Sequence, residues 1–423
     1  MDKSDFIDGS TWSGEDLSEG KEGGRSFRRA LTRLSLTVYG KLSASSCVYY
    51  QPRLSQSYQG GKRLSDIETI KKMDHKKKVR IGLIMGILCA LYWGIWYVPG
   101  SAVWSMDIMT GVYDNIGTAR PEIDPETVHI LVCIFLTGLN AIFCALVLFI
   151  WNSVLGKLPE LHRELHQVRG ASKYFMAAGL CGACAVFGTY LAASFLSPGF
   201  AAIAGLLYPV IGTILSVLYL KQKVSKRGYI SILILLAGGI TLYSGSLITG
   251  GTEGSVIGLI GGVMAAFGWG LEGVCAGKAL DVCEPDVGLH LRFIFEALFW
   301  VLVLGAITIS GIPILDTIGE LFDPVTLLVF LLLGLSFAWC YVCWYKCFPF
   351  LGVARGQAVG SLYAACAVIF LVVFSGPEAA LGYDNDTMLI IVSTTILGLV
   401  ICLIGSYLLA SEDTEGMVSL RGE

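Results

Sequence analysis

Gly86-Ile87-Leu88-Cys89-Ala90-Leu91-Tyr92-Trp93-Gly94 is an unbroken run of apolar and small residues. Gly262-Val263-Met264-Ala265-Ala266-Phe267-Gly268-Trp269-Gly270 repeats its pattern in the second half of the chain. The first run lies inside a longer apolar stretch, 81–104. A bilayer core about 30 Å thick is crossed by about 20 apolar residues rising 1.5 Å each. That ruler finds nine more stretches, at 127–151, 173–196, 199–220, 229–249, 254–279, 288–310, 325–346, 353–375 and 387–410. None alternates apolar with polar, so helices are expected rather than barrel strands. Ser197-Pro198-Gly199 divides the third stretch from the fourth, because Pro and Gly together stop a helix.

Composition agrees with that reading. Of 423 residues, 54% are hydrophobic and 15% charged, and the mean hydropathy is +0.68. An average soluble domain carries about 25% charge, so this much apolar surface calls for a second apolar phase. Disorder and a small disulfide scaffold are excluded on the same grounds. The net charge of -3 leaves no footprint for nucleic acid. The expected fold is an all-α polytopic membrane protein with ten transmembrane helices.

Basic residues set the expected orientation. Lys76, Lys77, Lys78 and Arg80 precede the first span, while Lys157, Arg163, Arg169 and Lys173 fill the second connection. Lys221, Lys223, Lys226 and Arg227 fill the fourth, and Lys278, Arg292, Lys346 and Arg355 bracket the sixth and eighth. The odd-numbered connections hold acids instead, among them Asp107, Asp114, Glu122, Asp316, Glu320 and Asp384, with Arg120 as their single basic residue. Both termini are therefore expected in the cytoplasm, in a cell (plasma or inner) membrane. Residues 1–72 are polar and read as a disordered cytoplasmic tail, in which Phe27–Leu34 is a short basic stretch suited to anionic lipid. Met73, followed by Asp74-His75-Lys76-Lys77-Lys78, is an alternative start. Residues 411–423 form a cytoplasmic C-terminal tail.

The 13 cysteines avoid the expected outer connections, so no structural disulfide is expected. Cys181-x-x-Cys184 and Cys340-x-x-Cys343 have metal-like spacing but fall inside spans, where small residues pack helix on helix. Neither a metal nor a cofactor is expected. His162 and His166 lie four apart in an amphipathic turn, not in zinc-protease order. Asn385-Asp386-Thr387 is a glycosylation acceptor in an outer connection.

Ten spans divide into two fives, and an odd number makes the second five run through the membrane inverted. The opening runs echo each other, and Leu207-Tyr208-Pro209 echoes Leu362-Tyr363-Ala364 in the fourth spans of the two halves. Inverted repeats of this kind place substrate near the midplane between the halves. The run Ala201–Gly212, closing Leu218-Tyr219-Leu220-Lys221-Gln222-Lys223-Val224-Ser225, together with Trp93-Gly94 and Trp269-Gly270, resembles the drug/metabolite transporter superfamily in its ten-helix form with two EamA-like repeats. Lys221-Gln222 stands where that family has Gly-Glu. The resemblance implies two five-helix repeats, 81–249 and 254–410, and secondary transport. It says little of substrate, since the superfamily carries sugars, nucleotide-sugars, amino acids, purines and cationic drugs.

Charge within the membrane is costly and needs a reason. Glu272 and Glu296 fall at matching depth in the sixth and seventh spans, and Arg292 lies one turn from Glu296 on the same face. One reading is a polar cavity opening inward, in which desolvated Glu272 carries a coupling proton and Arg292 and Glu296 bind substrate. The other is a fixed Arg292–Glu296 pair, with Glu272 bonded to a neighbouring helix. Trp93, Trp96 and Tyr97 share a face of the first span at mid-depth, as Trp269 does in the sixth, and either line a cavity or pack helices. Pro99-Gly100 is expected to bend the first span near its outer third. Tyr208, Gln357 and Tyr363 offer hydrogen bonds from the fourth and ninth spans. Trp339, Trp344 and Tyr345 read as an interfacial belt.

The expectation is a non-enzymatic secondary transporter of a small organic solute, proton-coupled at Glu272, with Trp93, Tyr97, Tyr208, Trp269, Arg292, Glu296, Gln357 and Tyr363 at the substrate site. A facilitative uniporter of a sugar-like or nucleoside-like metabolite and a non-transporting receptor or scaffold stay open. The partners are the small-molecule substrate and the lipid bilayer, with a homodimer open as well.

Overall fold

The computed structural model describes residues 62–167, 169–222, 224–248, 253–376 and 388–411. Chain contacts divide it into two units, Met1–Ile67 and Glu68–Glu423; of the first, residues 62–67 alone are described. The basic stretch 27–34, the acceptor at 385–387 and the C-terminal tail from 412 lie outside the described residues.

Glu68–Glu423 belongs to an all-α membrane fold. Nine helices among the described residues are long and apolar enough to cross a bilayer. A further helix, Lys226–Ile248, stands where the fifth span is expected. Met73 lies inside the first helix, Lys62–Ala102, whose membrane-length portion runs from Lys76 to Ser105 with its last turn 3-10. Four spans begin with one device: an oxygen-bearing side chain caps the helix and proline follows it at the first helical position. Asp124 precedes Pro125, Ser197 precedes Pro198, Glu284 precedes Pro285 and Asp323 precedes Pro324. The cap at Ser197, which accepts from the Phe200 N–H at 3.0 Å, separates the third and fourth spans where Ser197-Pro198-Gly199 predicts a stop.

Two spans tighten at mid-length. The fourth runs as Pro198–Ala204, a 3-10 turn Gly205–Leu207, then Tyr208–Tyr219. The ninth runs as Val353–Gly360, tightens through a turn at Ser361-Leu362, and continues as Tyr363–Ser375. The eighth, Pro324–Leu351, extends five residues past its expected end at 346, and a single residue, Gly352 at φ 78°, links it to the ninth.

The third span (Arg169–Phe195) lies along the sixth (Glu253–Ala279), and the fifth along the tenth (Met388–Ala410). The second (Pro125–Leu155) packs on the seventh (Pro285–Ile309) and the eighth, while the seventh also meets the third. The fourth meets the sixth and the ninth. Glycine permits the closest approaches: a Cβ at Gly188 would sit 2.5 Å from the Gly261 carbonyl, and one at Gly261 2.5 Å from the Gly188 carbonyl. Such small-residue seams are how helices pack where lipid removes the hydrophobic drive. Leu218, Ile240, Leu302, Ile309, Val373 and Phe374 instead point outward, exposed as a lipid face requires.

The first connection contains a helix, Asp107–Ala119, that hydropathy does not announce. The Cβ of a side chain at its Gly111 would meet Thr317 Cγ2 at 2.7 Å, beside the 3-10 turn Ile318–Phe322 of the seventh connection. Thr317 Oγ1 donates to the Ile108 carbonyl at 3.4 Å, so these two expected outer connections cover one end of the bundle together.

Candidate functional site

Glu272 lies seven residues before the end of the sixth helix, and Arg292 seven residues after the start of the seventh. At 1.5 Å per residue both stand about 10 Å in from the same end of the bundle. They meet there. Arg292 Nε donates to Glu272 Oε1 at 2.7 Å and Nη2 to Oε2 at 3.2 Å, a two-pronged pair across helices. Arg292 Nη1 donates to Glu296 Oε2 one turn along its own helix. All three side chains are fully buried.

Two tyrosines from the eighth span complete the cluster. The Tyr341 hydroxyl donates to Glu272 Oε2 at 3.0 Å and the Tyr345 hydroxyl to Oε1 at 3.2 Å. Tyr341 also accepts from Arg292 Nη2 at 3.2 Å and from Trp269 Nε1 at 3.1 Å. The guanidinium carbon stands 4.6 Å from the Tyr341 ring centre and 3.9 Å from that of Phe293. Space for the guanidinium comes from the third span, because a Cβ at Gly182 would collide with it.

Through Trp269 the ionic cluster joins an aromatic one. The Trp93 ring stacks on Tyr363, centroids 4.3 Å apart, and meets the edge of Trp269 at 4.7 Å. Tyr208 and Trp344 stand 5.9 Å and 5.7 Å from Trp93, and Tyr97 lies parallel to Tyr363 at 6.1 Å. Gln357 fits between Gly212 and Gly273, neither of which leaves room for a Cβ. Its Nε2 donates to the Trp269 carbonyl at 3.2 Å, and its backbone carbonyl accepts from the Tyr208 hydroxyl at 2.6 Å. All nine residues expected at the site thus fall in one connected cluster built from the first, fourth, sixth, seventh and ninth spans.

The eighth span, expected at 325–346, was not expected to contribute to the site. Trp344 and Tyr345 are not belt residues: both are fully buried, Trp344 against Trp93 and Tyr345 on Glu272. The belt reading fails because the helix continues to Leu351, which carries both rings into the bundle. The signal was present as Phe337, Tyr341 and Tyr345 at four-residue spacing on one face. Trp339, half-buried, does lie outside that core, beside Trp151 at 4.7 Å and Tyr92 at 6.3 Å.

The expected inward opening is closed in this conformation, since Glu272, Arg292 and Glu296 are all inaccessible to solvent. A small cavity lies elsewhere, lined by Trp96, Tyr97, Trp104, Thr189, Tyr190 and Pro198 among others, with ≈ 10 Å³ open to the centre of a water molecule. That is room for about one water.

A second ionic cluster stands nearer the expected cytoplasmic end. Asp286 is buried and accepts from Lys157 Nζ at 2.6 Å and Lys346 Nζ at 2.8 Å. Lys157 also donates to Glu284 at 2.8 Å, and the Trp151 indole reaches Asp286 at 3.4 Å. Burial alone would push the Lys157 ammonium down, but Asp286 and Glu284 outweigh it and hold it above its usual range. Burial and the Asp286 charge push the Glu284 carboxyl up. Arg355, expected as a bracket of the eighth connection, donates to the Ala410 carbonyl at 3.2 Å and 3.0 Å and so caps the tenth helix.

Among the described residues no group of three or more His, Cys, Asp or Glu could hold a metal ion. Cys340, Cys343 and Cys347 are buried in helix packing.

No curated protein matches the chain in sequence. A solved structure described only as "Crystal structure of protein" aligns over 76% of this chain and 96% of its own, at 16% identity and a TM-score of 0.46. The model of the EamA-like transporter family matches residues 126–244, the second to fifth spans. This multi-pass membrane chain therefore carries an EamA-like transporter family domain at residues 126–244.

Proposed function

We propose that the protein is a secondary active transporter of a small organic solute, working by alternating access between two inverted five-helix halves, 81–249 and 254–410. A proton entering the Glu272–Arg292–Glu296 cluster drives it, and the aromatic cluster around Trp93 receives the solute. The observation that carries this reading is the Tyr341 hydroxyl, which bonds both Glu272 and Trp269. A change of charge at the carboxylates reaches the aromatic wall through that one oxygen.

The helix contacts support the two halves. Exchanging the first five spans for the last five, in order, turns the third–seventh contact into the eighth–second, and both occur. The second–seventh, fourth–ninth and fifth–tenth contacts map onto themselves. The fourth–sixth contact becomes ninth–first, where a Cβ on Gly94 of the first span would meet the Ala367 N of the ninth at 2.9 Å. Both termini face the cytoplasm of a cell membrane in this reading, as the basic residues direct.

The test begins with a metabolite panel screened for ligand-induced thermal stabilisation of the purified chain, since a substrate binds the folded state. Each hit is then offered to proteoliposomes with and without an imposed pH gradient. Uptake that follows the gradient is expected. Uptake indifferent to it would make the protein a uniporter, and binding without uptake would make it a receptor.

A further inference from the structure

The carboxyl that holds the proton can be named from hydrogen-bond supply alone. An ionised carboxylate accepts about four hydrogen bonds, and a buried acceptor left without one is destabilising. Glu272 has its full complement: Arg292 Nε and the Tyr345 hydroxyl on Oε1, Arg292 Nη2 and the Tyr341 hydroxyl on Oε2. Glu296 has one donor, Arg292 Nη1 on Oε2, while its buried Oε1 has none. The two acids share a single guanidinium, so the cluster carries one negative charge too many when both are ionised. An unpaired charge away from water costs far more than an unpaired hydroxyl.

We propose that Glu296, rather than Glu272, is the acid that binds and releases the coupling proton, with Glu272 the permanent counter-ion of Arg292. This deepens the reading of the cluster as the coupling site and rests on it. Titratable groups stand around Glu296 from every side. Arg292 lies on its own helix, Cys144 on the second span, Tyr190 on the third, Glu272 on the sixth and Tyr341 on the eighth. Arg292 alone among them is cationic, and Glu272 already engages two of its nitrogens.

Tyr190 supplies a route. Its ring lines the small cavity, its hydroxyl has no hydrogen-bond partner, and it lies within electrostatic reach of Glu296. The step is a simple transfer: a hydronium ion reaching the cavity gives its proton to Glu296 Oε1, leaving a water molecule and a neutral acid. On release the O–H bond breaks and the electron pair stays on the carboxylate. Arg292 keeps its Glu272 contacts throughout.

Difference infrared spectroscopy on the full purified chain reads this directly, with the proton as the probe. Moving from mildly acid to mildly alkaline buffer is expected to remove one buried-carboxyl band reversibly. Glu296→Gln eliminates that band, Glu296→Asp shifts its frequency, and Glu272→Asp leaves its frequency where it was. A band that survives Glu296→Gln, or moves with Glu272→Asp, overturns the proposal, as does a wild-type chain with no titrating band. Glu296→Asp keeps the test open if the Gln variant fails to fold. Uptake separates the two readings. A Glu296 band without pH-driven uptake sinks the transporter and leaves the proton site standing, whereas pH-driven uptake with the band on Glu272 does the reverse.

Discussion

Two ionic clusters occupy different levels of one bundle, and they are built on opposite terms. Around Asp286 the charges balance, two carboxylates against two lysines, and the lysines remain 24% and 19% exposed. Their long stems let the ammonium groups turn to water if a partner leaves. Around Arg292 the charges do not balance, every side chain is sealed, and the guanidinium is held by aromatic rings and by the missing Cβ of Gly182. The first arrangement suits a fastening that can be undone and remade at a membrane surface. The second is the arrangement that the proposed proton site calls for.

The comparison is broken most forcefully at its centre. Arg292→Met strands two carboxylates out of water, and a loss of about 3–5 kcal/mol in folding free energy is expected. Thermal and denaturant unfolding in micelles measure it, and a loss no larger than that of Asp286→Asn would end the contrast. Asp286→Asn itself is expected to cost about 1.5–3 kcal/mol, the worth of hydrogen bonds to a charged group. Because its lysines reach water, that penalty shrinks in high salt, whereas the Arg292→Met penalty does not; melting both variants at two salt concentrations checks this.

Gly182→Ala sharpens the contrast from the packing side. The new methyl group has to displace the guanidinium, an overpacking worth about 1–3 kcal/mol. Gly170→Ala, with nothing within 4 Å of the new atom, is the control. The smallest effect is a pH response of the Asp286 cluster. Since the Lys157 ammonium is held above its ordinary range, its contribution is complete below about pH 10 and fades as pH climbs beyond. Glu284 has a raised carboxyl, so its contribution is complete at acid pH below about 4 and fades as pH rises through its folded value. Lys157→Met therefore flattens the alkaline limb of the melting profile by less than about 1 kcal/mol, and Glu284→Gln flattens the limb that starts in acid.

Much of this architecture was legible because lipid leaves the chain few choices. Apolar length alone marks the spans, and Ser197-Pro198-Gly199 marks the stop between the third and the fourth. Helix Asp107–Ala119 escaped because it is too short and polar to register against a bilayer ruler. At the site, depth paired Glu272 with Glu296 and left Arg292 one turn away, and it could not give the two-pronged Arg292–Glu272 bond, which depends on how the sixth and seventh helices are rotated. Tyr341 and Tyr345 escaped for a related reason. Tyrosine near a helix end fits an interface as well as a core, and only the overrun to Leu351 decides between them.

The tightened turns in the fourth and ninth spans carry one further consequence. Pro209 follows the first, but Ala364 stands in the corresponding place after the second. Proline is therefore not required for the tightened turn of the ninth span, beside which the Tyr363 hydroxyl lodges where a Cβ of Gly205 would stand. A continuous rod pushed at one mouth delivers the displacement to the other. A rod with a tightened turn at its middle passes on less of it, which is the property the proposed alternating access asks of these two helices.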